Sequence, residues 1–311
     1  MASPVSVLVL GGGPDAEREV SLMSSRAVAE ALASDARFTV RYEVIGRITA
    51  EELRSLPGDV VFPVLHGAFG EGGPLQDLLE ADGRAYVGSG PGASRLAMDK
   101  MGTKLSAARE GVRTCPACVL NAADPACPLP LPVVVKPIHE GSSVGVHICR
   151  DEAAWRAARE AAIGDTAKHP GRVYMVESAV LGGREVTVGL LDGAALAPIE
   201  IKPATEFYDY EAKYLRDDTR YDVDPSLPGD VGKTMRRDAE RLGRAMALRH
   251  MARVDFLVDR SGVPWMLEVN TIPGFTSHSL LPKAAAHAGL SFTGLCTRLV
   301  ELALRDAAGP R

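Results

Sequence analysis

The first 33 residues constrain the fold more than any other part of the chain. Residues 5–10 form a continuous apolar run that ends at three consecutive glycines, Gly11, Gly12 and Gly13. Residues 16–33 then carry apolar side chains at helical spacing. The pattern indicates a strand, a tight turn and a helix, and doubly wound α/β domains begin in this way.

Strand and helix patterns alternate along the rest of the chain. A parallel sheet is completed by strands predicted at residues 38–45, 60–65 and 85–88 and by a helix at 74–81. After a glycine-rich hinge, we expect helices at 93–110 and 231–250, strands at 133–135, 173–177 and 185–191, a hairpin at 253–270 and a final helix within 282–306. The predicted class is α/β, or α+β, with an N-terminal doubly wound parallel-sheet domain.

The composition excludes several classes of function. The 311 residues carry a net charge of -5 with basic and acidic residues interspersed. No basic stripe is available for a phosphate backbone, so nucleic acid is not an expected partner. The apolar runs at residues 5–10 and 60–65 have only the length of strands, which predicts no membrane span. Five cysteines in a chain of this size fit a reducing compartment, and we predict a cytoplasmic protein that binds small molecules.

One group of cysteines has part of a metal or redox pattern. Cys115 and Cys118 have the spacing of half a zinc or redox motif, and Cys127 follows. A second pair of cysteines or a nearby pair of histidines is missing from the sequence around them. We therefore interpret the three side chains as small apolar residues in a proline-rich stretch.

The predicted hairpin places polar side chains on one face. Both of its strands alternate polar with apolar residues. With a loop at residues 259–262, Arg253 would pair with Glu268, and Asp255 would lie diagonal to Glu268 on the same face as Asn270. Oxygen ligands of this kind suit Mg²⁺, but spacing alone is equally consistent with a solvated face that holds one Arg–Glu pair. A turn-rich segment at 270–280, before a predicted helix that could receive a carboxylate, favours the site.

Two further stretches could bind charged groups. Lys136 ends an apolar strand, and the glycine-serine turn at 141–145 could cover phosphates with its backbone N–H groups, although a lysine at a solvated strand end is a sufficient explanation on its own. The turn at Gly11 formally matches a dinucleotide pattern, but the acids Asp15, Glu17 and Glu19 at the helix start oppose a pyrophosphate there. They suit a substrate amine, with Glu17 as its anchor, or are ordinary acids of a helix start.

Taken together, these motifs resemble those of the D-alanine:D-alanine ligases, which belong to the ATP-grasp enzymes. The resemblance covers essentially the whole chain and rests on residues 16–21, 65–67, 136 with 141–145, 207–214, and 268–270 through 277–279. It implies an N-terminal domain at 1–90, a middle ATP-grasp domain at 91–176 and a C-terminal ATP-grasp domain at 177–311. It also implies a homodimer that makes D-alanyl-D-alanine for peptidoglycan precursors.

The resemblance implies the nucleotide and metal residues. ATP would lie between the middle and C-terminal domains. Two Mg²⁺ ions, with Mn²⁺ as an alternative, would bridge its phosphates. The ligands of the ions would be Asp255, Glu268 and Asn270. The residues implied for ATP are Lys100 and Lys136 on the phosphates, Ser142 and Ser143 in the covering loop, Glu177 and Glu185 at adenine and ribose, and also Val180 and Lys213.

The resemblance also implies the substrate residues and the reaction. The carboxylate of one D-alanine would attack the γ-phosphate, and the amine of a second D-alanine would displace phosphate from the resulting acyl phosphate. The residues implied are Glu17 for the first amine, Arg253 and the Gly274 amide for the oxyanion, Ser279 and Leu280 for the second carboxylate, His66 on the substrate side, and Tyr214 of a closing loop at 205–221, which reaches toward Ser142 and Glu17.

Three departures from the family pattern and three rival functions remain. Gly72, His139 and Ser178 stand where the family usually has other residue types, which concerns loop docking and adenine-side contacts.

A ligase that uses D-lactate or D-serine as second substrate is the nearest rival, and the Tyr-Glu-Ala-Lys-Tyr sequence at 210–214 favours D-alanine. A nicotinamide-dependent oxidoreductase and a non-catalytic ATP-binding module are the rivals from other classes.

Overall fold

The computed structural model describes residues 3–141, 144–203, 218–276 and 279–308. The N-terminal part is a four-stranded parallel sheet with the strand order β2-β1-β3-β4. Its strands are β1 (Val5–Gly12), β2 (Phe38–Ile45), β3 (Val60–Pro63) and β4 (Ala85–Tyr86), and its helices are α1 (Arg18–Ala33), α2 (Ala50–Ser55), α3 (Gly67–Gly70) and α4 (Pro74–Asp82). The predicted doubly wound domain is confirmed.

The apolar run of β1 is explained by burial on both faces of this sheet. Val7 and Val9 belong to one hydrophobic cluster, whereas Leu8 and Leu10 belong to another on the opposite face. All four side chains are completely buried. A parallel strand covered by helices on both sides needs such a continuous run, because neither face meets water.

The predicted helix at 93–110 is wrong, because the structure contains two helices there. They are α5 (Pro91–Met98) and α6 (Lys100–Arg109). Asp99 between them has an extended backbone, and its carboxylate accepts hydrogen bonds from the amides of Met101 and Gly102. Asp99 thus caps a new helix, and Lys100 becomes the first residue of α6.

The middle sheet is antiparallel, with the order β5-β8-β6-β7. Its strands are β5 (Ala117–Val119), β6 (Val133–Pro137), β7 (His147–Cys149) and β8 (Tyr174–Ser178), and helix α7 (Glu152–Lys168) packs on it. Trp155 of α7 is fully buried and donates its indole N–H to the carbonyl of Pro125. Strand β8 crosses the predicted domain boundary after residue 176, and a boundary after Ser178 would keep the strand intact.

The C-terminal sheet is also antiparallel, with the order β12-β11-β9-β13-β14 and with β10 beside β9. Its strands are β9 (Arg184–Leu191), β10 (Ala194–Ala195), β11 (Ile199–Lys202), β12 (Arg220–Val223), β13 (Met251–Val258) and β14 (Pro264–Asn270). Helix α8 (Val231–Ala245) packs against β9 and ends before the predicted residue 250. The φ angles of Ala247 and His250 are +53° and +60°, which no α-helix can continue through.

The C-terminal residues form two helices instead of the single helix predicted within 282–306. These are α9 (Leu280–His287) and α10 (Phe292–Ala308), separated by a turn in which Gly289 has a φ of +84°. Helix α10 packs against α1, β3 and β4, so the end of the chain completes the N-terminal core. His250 supports this arrangement, because its Nδ1 accepts from the Gly88 amide at 2.9 Å and its Nε2 lies 3.0 Å from Asp306. No helix among the described residues has the length and apolar character needed to cross a membrane.

Candidate active site

A cavity of about 480 Å³ lies between the middle and C-terminal sheets. One wall comes from β6, β7 and the end of β8, and the opposite wall comes from β9, β11, β13 and β14. Its apolar side chains include Val134, Ile148 and Leu257. Five predicted nucleotide residues line the cavity, namely Lys100, Lys136, Glu177, Val180 and Glu185. A cavity lined by both apolar and charged side chains suits a ligand that has both a flat base and phosphates.

Glu177 and Lys136 form a close ion pair inside this cavity. The Lys136 Nζ lies 2.9 Å from Glu177 Oε2, and the Glu177 side chain is only 4% exposed. Burial alone would raise the pKa of Glu177, but Lys136 and the neighbouring Lys104 outweigh burial and hold that pKa below its usual value. Burial alone would lower the pKa of Lys136, but the charge of Glu177 raises it. Both groups are therefore charged at neutral pH.

Lys100 connects the cavity to the start of the loop predicted to cover phosphates and to the acidic face of the hairpin. Its Nζ donates to the Glu140 carbonyl oxygen at 2.5 Å and lies 3.5 Å from Glu268 Oε2. The start of the loop also approaches the N-terminal domain, because a Cβ atom built on Gly141 would lie 3.5 Å from Glu17 Oε1. The other loop and lid residues predicted for the site, Ser142, Ser143, Lys213 and Tyr214, lie outside the described residues.

The hairpin has the predicted face but not the predicted register. Arg253 pairs with Asn270, and Asp255 pairs directly with Glu268, so the prediction that Arg253 faces Glu268 is wrong. The loop between the strands is one residue longer than predicted, and a bulge after Asp255 adds a second shift of one residue. Each shift alone would move side chains to the other face, but the two together restore the predicted face.

The Asp255 carboxylate is the centre of a buried network on this face. The Nε and Nη2 atoms of Arg253 donate to its two oxygens at 2.9 and 2.8 Å. Asn270 Nδ2 donates to Oδ2 at 3.0 Å, and Thr187 Oγ1 donates to Oδ1 at 2.5 Å. Thr187, on the adjacent strand β9, was not predicted from the sequence. This network fixes the carboxylate in one orientation beside Glu268.

The donor chemistry of this face fits Mg²⁺. Asp255, Glu268 and Asn270 supply two carboxylates and one carboxamide oxygen, and Lys100 lies beside Glu268 at the cavity. Mg²⁺ is usually bound by one or two carboxylates together with substrate phosphates and water, which a set of this size permits. Arg253 neutralises part of the negative charge and donates to the carboxylate, so it is not a metal ligand.

Glu71, a largely buried acid near His66, was not predicted from the sequence. Glu71 accepts hydrogen bonds from the amides of Gly67 and Ile272 at 3.2 and 3.4 Å. Burial, together with the negative charge of Glu17, raises the pKa of Glu71 to about 8. His66 Nδ1 lies 3.9 Å from Glu71 Oε1. Burial, together with the positive charge of Arg253, lowers the pKa of His66 to about 4, so this imidazole is neutral at pH 7.

Glu71 makes stability depend on pH in a specific direction. Its pKa rises from 4.5 in the unfolded chain to about 8 in the fold, so the folded state retains a proton that the unfolded state releases. Its contribution to stability is complete below pH 4.5 and is lost as pH rises through 8. When the pH is raised from 5.5 to 8.5, we expect the melting temperature of the wild-type protein to fall by several degrees more than that of Glu71→Gln. Equal falls in both proteins would contradict the assignment.

The turn before α9 brings Gly274 and Ser279 together. A Cβ atom at Gly274 would lie 2.8 Å from Ser279 Oγ, so a larger residue there would displace the Ser279 hydroxyl. Ser279 is the residue before α9, and its Oγ accepts from the Thr276 amide at 2.8 Å and makes no hydrogen bond to the first turn of the helix. The Phe275 amide donates to Ser24 of α1, which fixes the turn against the N-terminal domain. Leu280 is the buried first residue of α9.

None of the five cysteines, all of which the structure describes, lines the cavity. All five carry free thiols. Cys118 and Cys127 pack against the core beneath α7, as small apolar side chains do. Burial raises the pKa of the Cys115 thiol to about 11, so it is protonated at neutral pH. No group of three histidine, cysteine or acidic side chains suited to a metal occurs in the part of the chain that the structure describes.

A parallel N-terminal domain followed by two antiparallel sheets around such a cavity defines an ATP-dependent ligase of the ATP-grasp class. The family model described as the D-ala D-ala ligase C-terminus matches residues 122–301. The chain therefore belongs to the D-alanine–D-alanine ligase family. This membership excludes the nicotinamide-dependent oxidoreductase and the non-catalytic module as alternatives.

Curated relatives and a solved structure agree with this assignment over almost the whole chain. The D-alanine–D-alanine ligase of Citrifermentans bemidjiense is 42% identical over 298 residues, which is 96% of this chain and 95% of that protein. The enzyme of the same name from Dechloromonas aromatica is 43% identical and covers 98% of this chain and 100% of its own length. The crystal structure of the Bacillus anthracis D-alanine–D-alanine ligase complexed with ATP has a TM-score of 0.81 at 30% identity and covers 98% and 99% of the two chains.

Proposed function

We propose that this enzyme joins two D-alanine molecules to D-alanyl-D-alanine, with release of ADP and phosphate, for peptidoglycan precursors in the cytoplasm. The observation that carries the proposal is the continuity of two sites. The cavity of about 480 Å³ leads, through Lys100, to the face of Arg253, Asp255 and Glu268. An ATP terminal phosphate and a carboxylate substrate can therefore meet at one place.

Our assignment of the nucleotide follows the two walls of the cavity. Glu177 and Glu185 would contact adenine and ribose, with Val180 against the base, because all three residues line the cavity. Lys100 and Lys136 would contact the phosphates, with Ser142, Ser143 and Lys213 as further contacts from sequence resemblance. Positive charges here would offset the negative charge of the triphosphate.

Asp255, Glu268 and Asn270 would hold two Mg²⁺ ions, or Mn²⁺ in their place. When bound, the ions supply charge neutralisation and alignment of the phosphates. The buried network of Asp255 with Arg253 and Thr187 presets the position of one ligand before any ion arrives.

The remaining predicted residues would bind the two D-alanine molecules. Glu17 would bind the amine of the first D-alanine, and one oxygen of its carboxylate would attack the γ-phosphate to give an acyl phosphate and ADP. Arg253 and the Gly274 amide would stabilise the negative charge on that carboxyl oxygen when the second amine attacks. Ser279 and Leu280 would receive the second carboxylate at the start of α9.

The second attack needs a neutral amine and a site without water. His66 is neutral at pH 7, so it would add no positive charge beside Arg253 or the bound substrates. Tyr214 with Ser142 would close the site over Glu17. Exclusion of water protects the acyl phosphate until the C–N bond forms and phosphate leaves.

An ADP-release assay with D-alanine, D-serine or D-lactate as the second substrate tests the proposal. We expect turnover with D-alanine to exceed turnover with D-serine and D-lactate at neutral pH. The product should be identified by mass spectrometry as the D-alanine dipeptide. Preference for D-lactate near neutral pH would replace the proposal with a depsipeptide ligase. Light scattering of the same sample should give the mass of a homodimer, the assembly that we propose.

A further inference from the structure

Lys104 is a buried cation to which the proposed reaction gives no role. It lies one helical turn after Lys100 on α6, so both lysines share a face of that helix. Lys100 lines the cavity, whereas Lys104 does not and has a side chain only 5% exposed. An ammonium group at such a position is costly unless it is fully paired.

The ammonium of Lys104 has two hydrogen-bond acceptors and one ion-pair partner. Its Nζ donates to Thr114 Oγ1 at 2.7 Å and to the Cys115 carbonyl at 3.1 Å, and it lies 3.2 Å from Glu177 Oε2. Two of its three N–H groups are therefore hydrogen-bonded, and the ammonium forms an ion pair with Glu177. Thr114 also donates to the carbonyl of Met266 on β14, so the cation is fixed between α6, β8 and the hairpin.

Glu177 therefore sits between two lysines on different sides. Lys136 reaches Oε2 from the cavity side at 2.9 Å, whereas Lys104 reaches the same oxygen from the protein interior at 3.2 Å. If Lys136 turns toward a phosphate, it gives up part of its contact with Glu177. A buried carboxylate without a compensating cation would then oppose nucleotide binding.

We propose that Lys104 is a positioning residue for ATP, which holds Glu177 in place and supplies its counter-charge while Lys136 engages the phosphates. The inference rests on the proposed location of ATP in the cavity. Lys104 contacts neither the nucleotide nor the reacting atoms. Its effect on nucleotide binding passes through Glu177, so the effect should disappear when the Glu177 carboxylate is removed.

Titration calorimetry with ADP on the full-length enzyme tests the role. We expect Lys104→Met to weaken ADP binding and raise the ATP KM by about tenfold or more, which is within the range of coupling between contacting groups. The KM for D-alanine should change by less than about twofold, because the coupling is confined to the nucleotide. Lys104→Gln keeps a donor for Thr114 without the charge, and it gives the same comparison if the methionine variant does not fold. Lys233→Met, at an exposed lysine, is the matched control.

A double-mutant cycle separates positioning from simple stabilisation. In a Glu177→Gln background, the further loss of ADP affinity caused by Lys104→Met should fall below about threefold, since the carboxylate it serves is absent. Full additivity, or a lower melting temperature with unchanged ADP affinity, would overturn the positioning role. Failure of the wild-type enzyme to bind ADP would instead overturn the proposed nucleotide site.

Discussion

Replacing Glu268 with alanine is expected to lower kcat for ADP release by about 1,000-fold or more, the scale on which charge stabilisation contributes to phosphoryl transfer. Glu268 pairs directly with Asp255 across the hairpin and lies 3.5 Å from Lys100. Its loss would remove a carboxylate from the proposed magnesium face and release Lys100 from its partner. The measurement is kcat over a series of Mg²⁺ concentrations, with thermal unfolding of the same samples.

Two further variants make the Glu268 result specific. Glu268→Gln keeps the size of the side chain and should also lose activity, because a neutral amide is a weaker ligand for a hard cation. Glu160→Ala removes an exposed carboxylate from α7 and should behave as the wild-type enzyme. Unchanged turnover in Glu268→Ala would mean that the metal assignment is wrong.

Replacing Arg253 with lysine is expected to lower kcat by about 100- to 1,000-fold, the cost of removing one oxyanion donor. The guanidinium holds both oxygens of Asp255 at 2.9 and 2.8 Å, and its planar fork could also donate to a reacting carboxyl group. A lysine keeps the charge but has no such fork. Steady-state kinetics with D-alanine and ATP varied in turn should place the loss in kcat more than in the ATP KM.

The control for Arg253 is a second arginine with a similar bidentate pair away from the site. Arg37 binds both oxygens of Asp35 at 3.0 and 2.6 Å in the turn before β2, and neither residue lines the cavity. Arg37→Lys makes the same chemical change at a different pair and should retain most of its kcat. Retention of full kcat by Arg253→Lys would show that positive charge alone is sufficient at this position.

Local periodicity was sufficient to predict the fold class. The apolar run of β1 and the alternation in the hairpin are local properties of the sequence. The continuous run corresponds to a strand buried on both faces, and the alternation corresponds to strands buried on one face. The break between α5 and α6 has a local cause too, but Asp99 is compatible with either a continuous helix or a cap. The two register shifts of the hairpin depend on the loop and the bulge, which periodicity does not determine.

Residues of the site that were missed depend on contacts between distant parts of the chain. Thr187 reaches Asp255 across 68 residues of sequence, and Lys104 reaches Glu177 from helix α6. Glu71 stands out only because burial and Glu17 raise its pKa, and neither effect is visible before folding. The roles of Lys100, Glu177 and Val180 came from family resemblance, since spacing alone did not distinguish them from surface or core residues.

The packing of α10 affects the order in which the protein can fold during synthesis. Its buried side chains Leu295, Leu299 and Val300 share one hydrophobic cluster with Val7 of β1 and Phe62 of β3. A ribosome delivers β1 and α1 well before α10, so this face of the N-terminal sheet is only partly covered, by α1, until α10 has emerged. The domain that is translated first is therefore the last to be completed, and its exposed apolar face is a natural target for a chaperone during that interval.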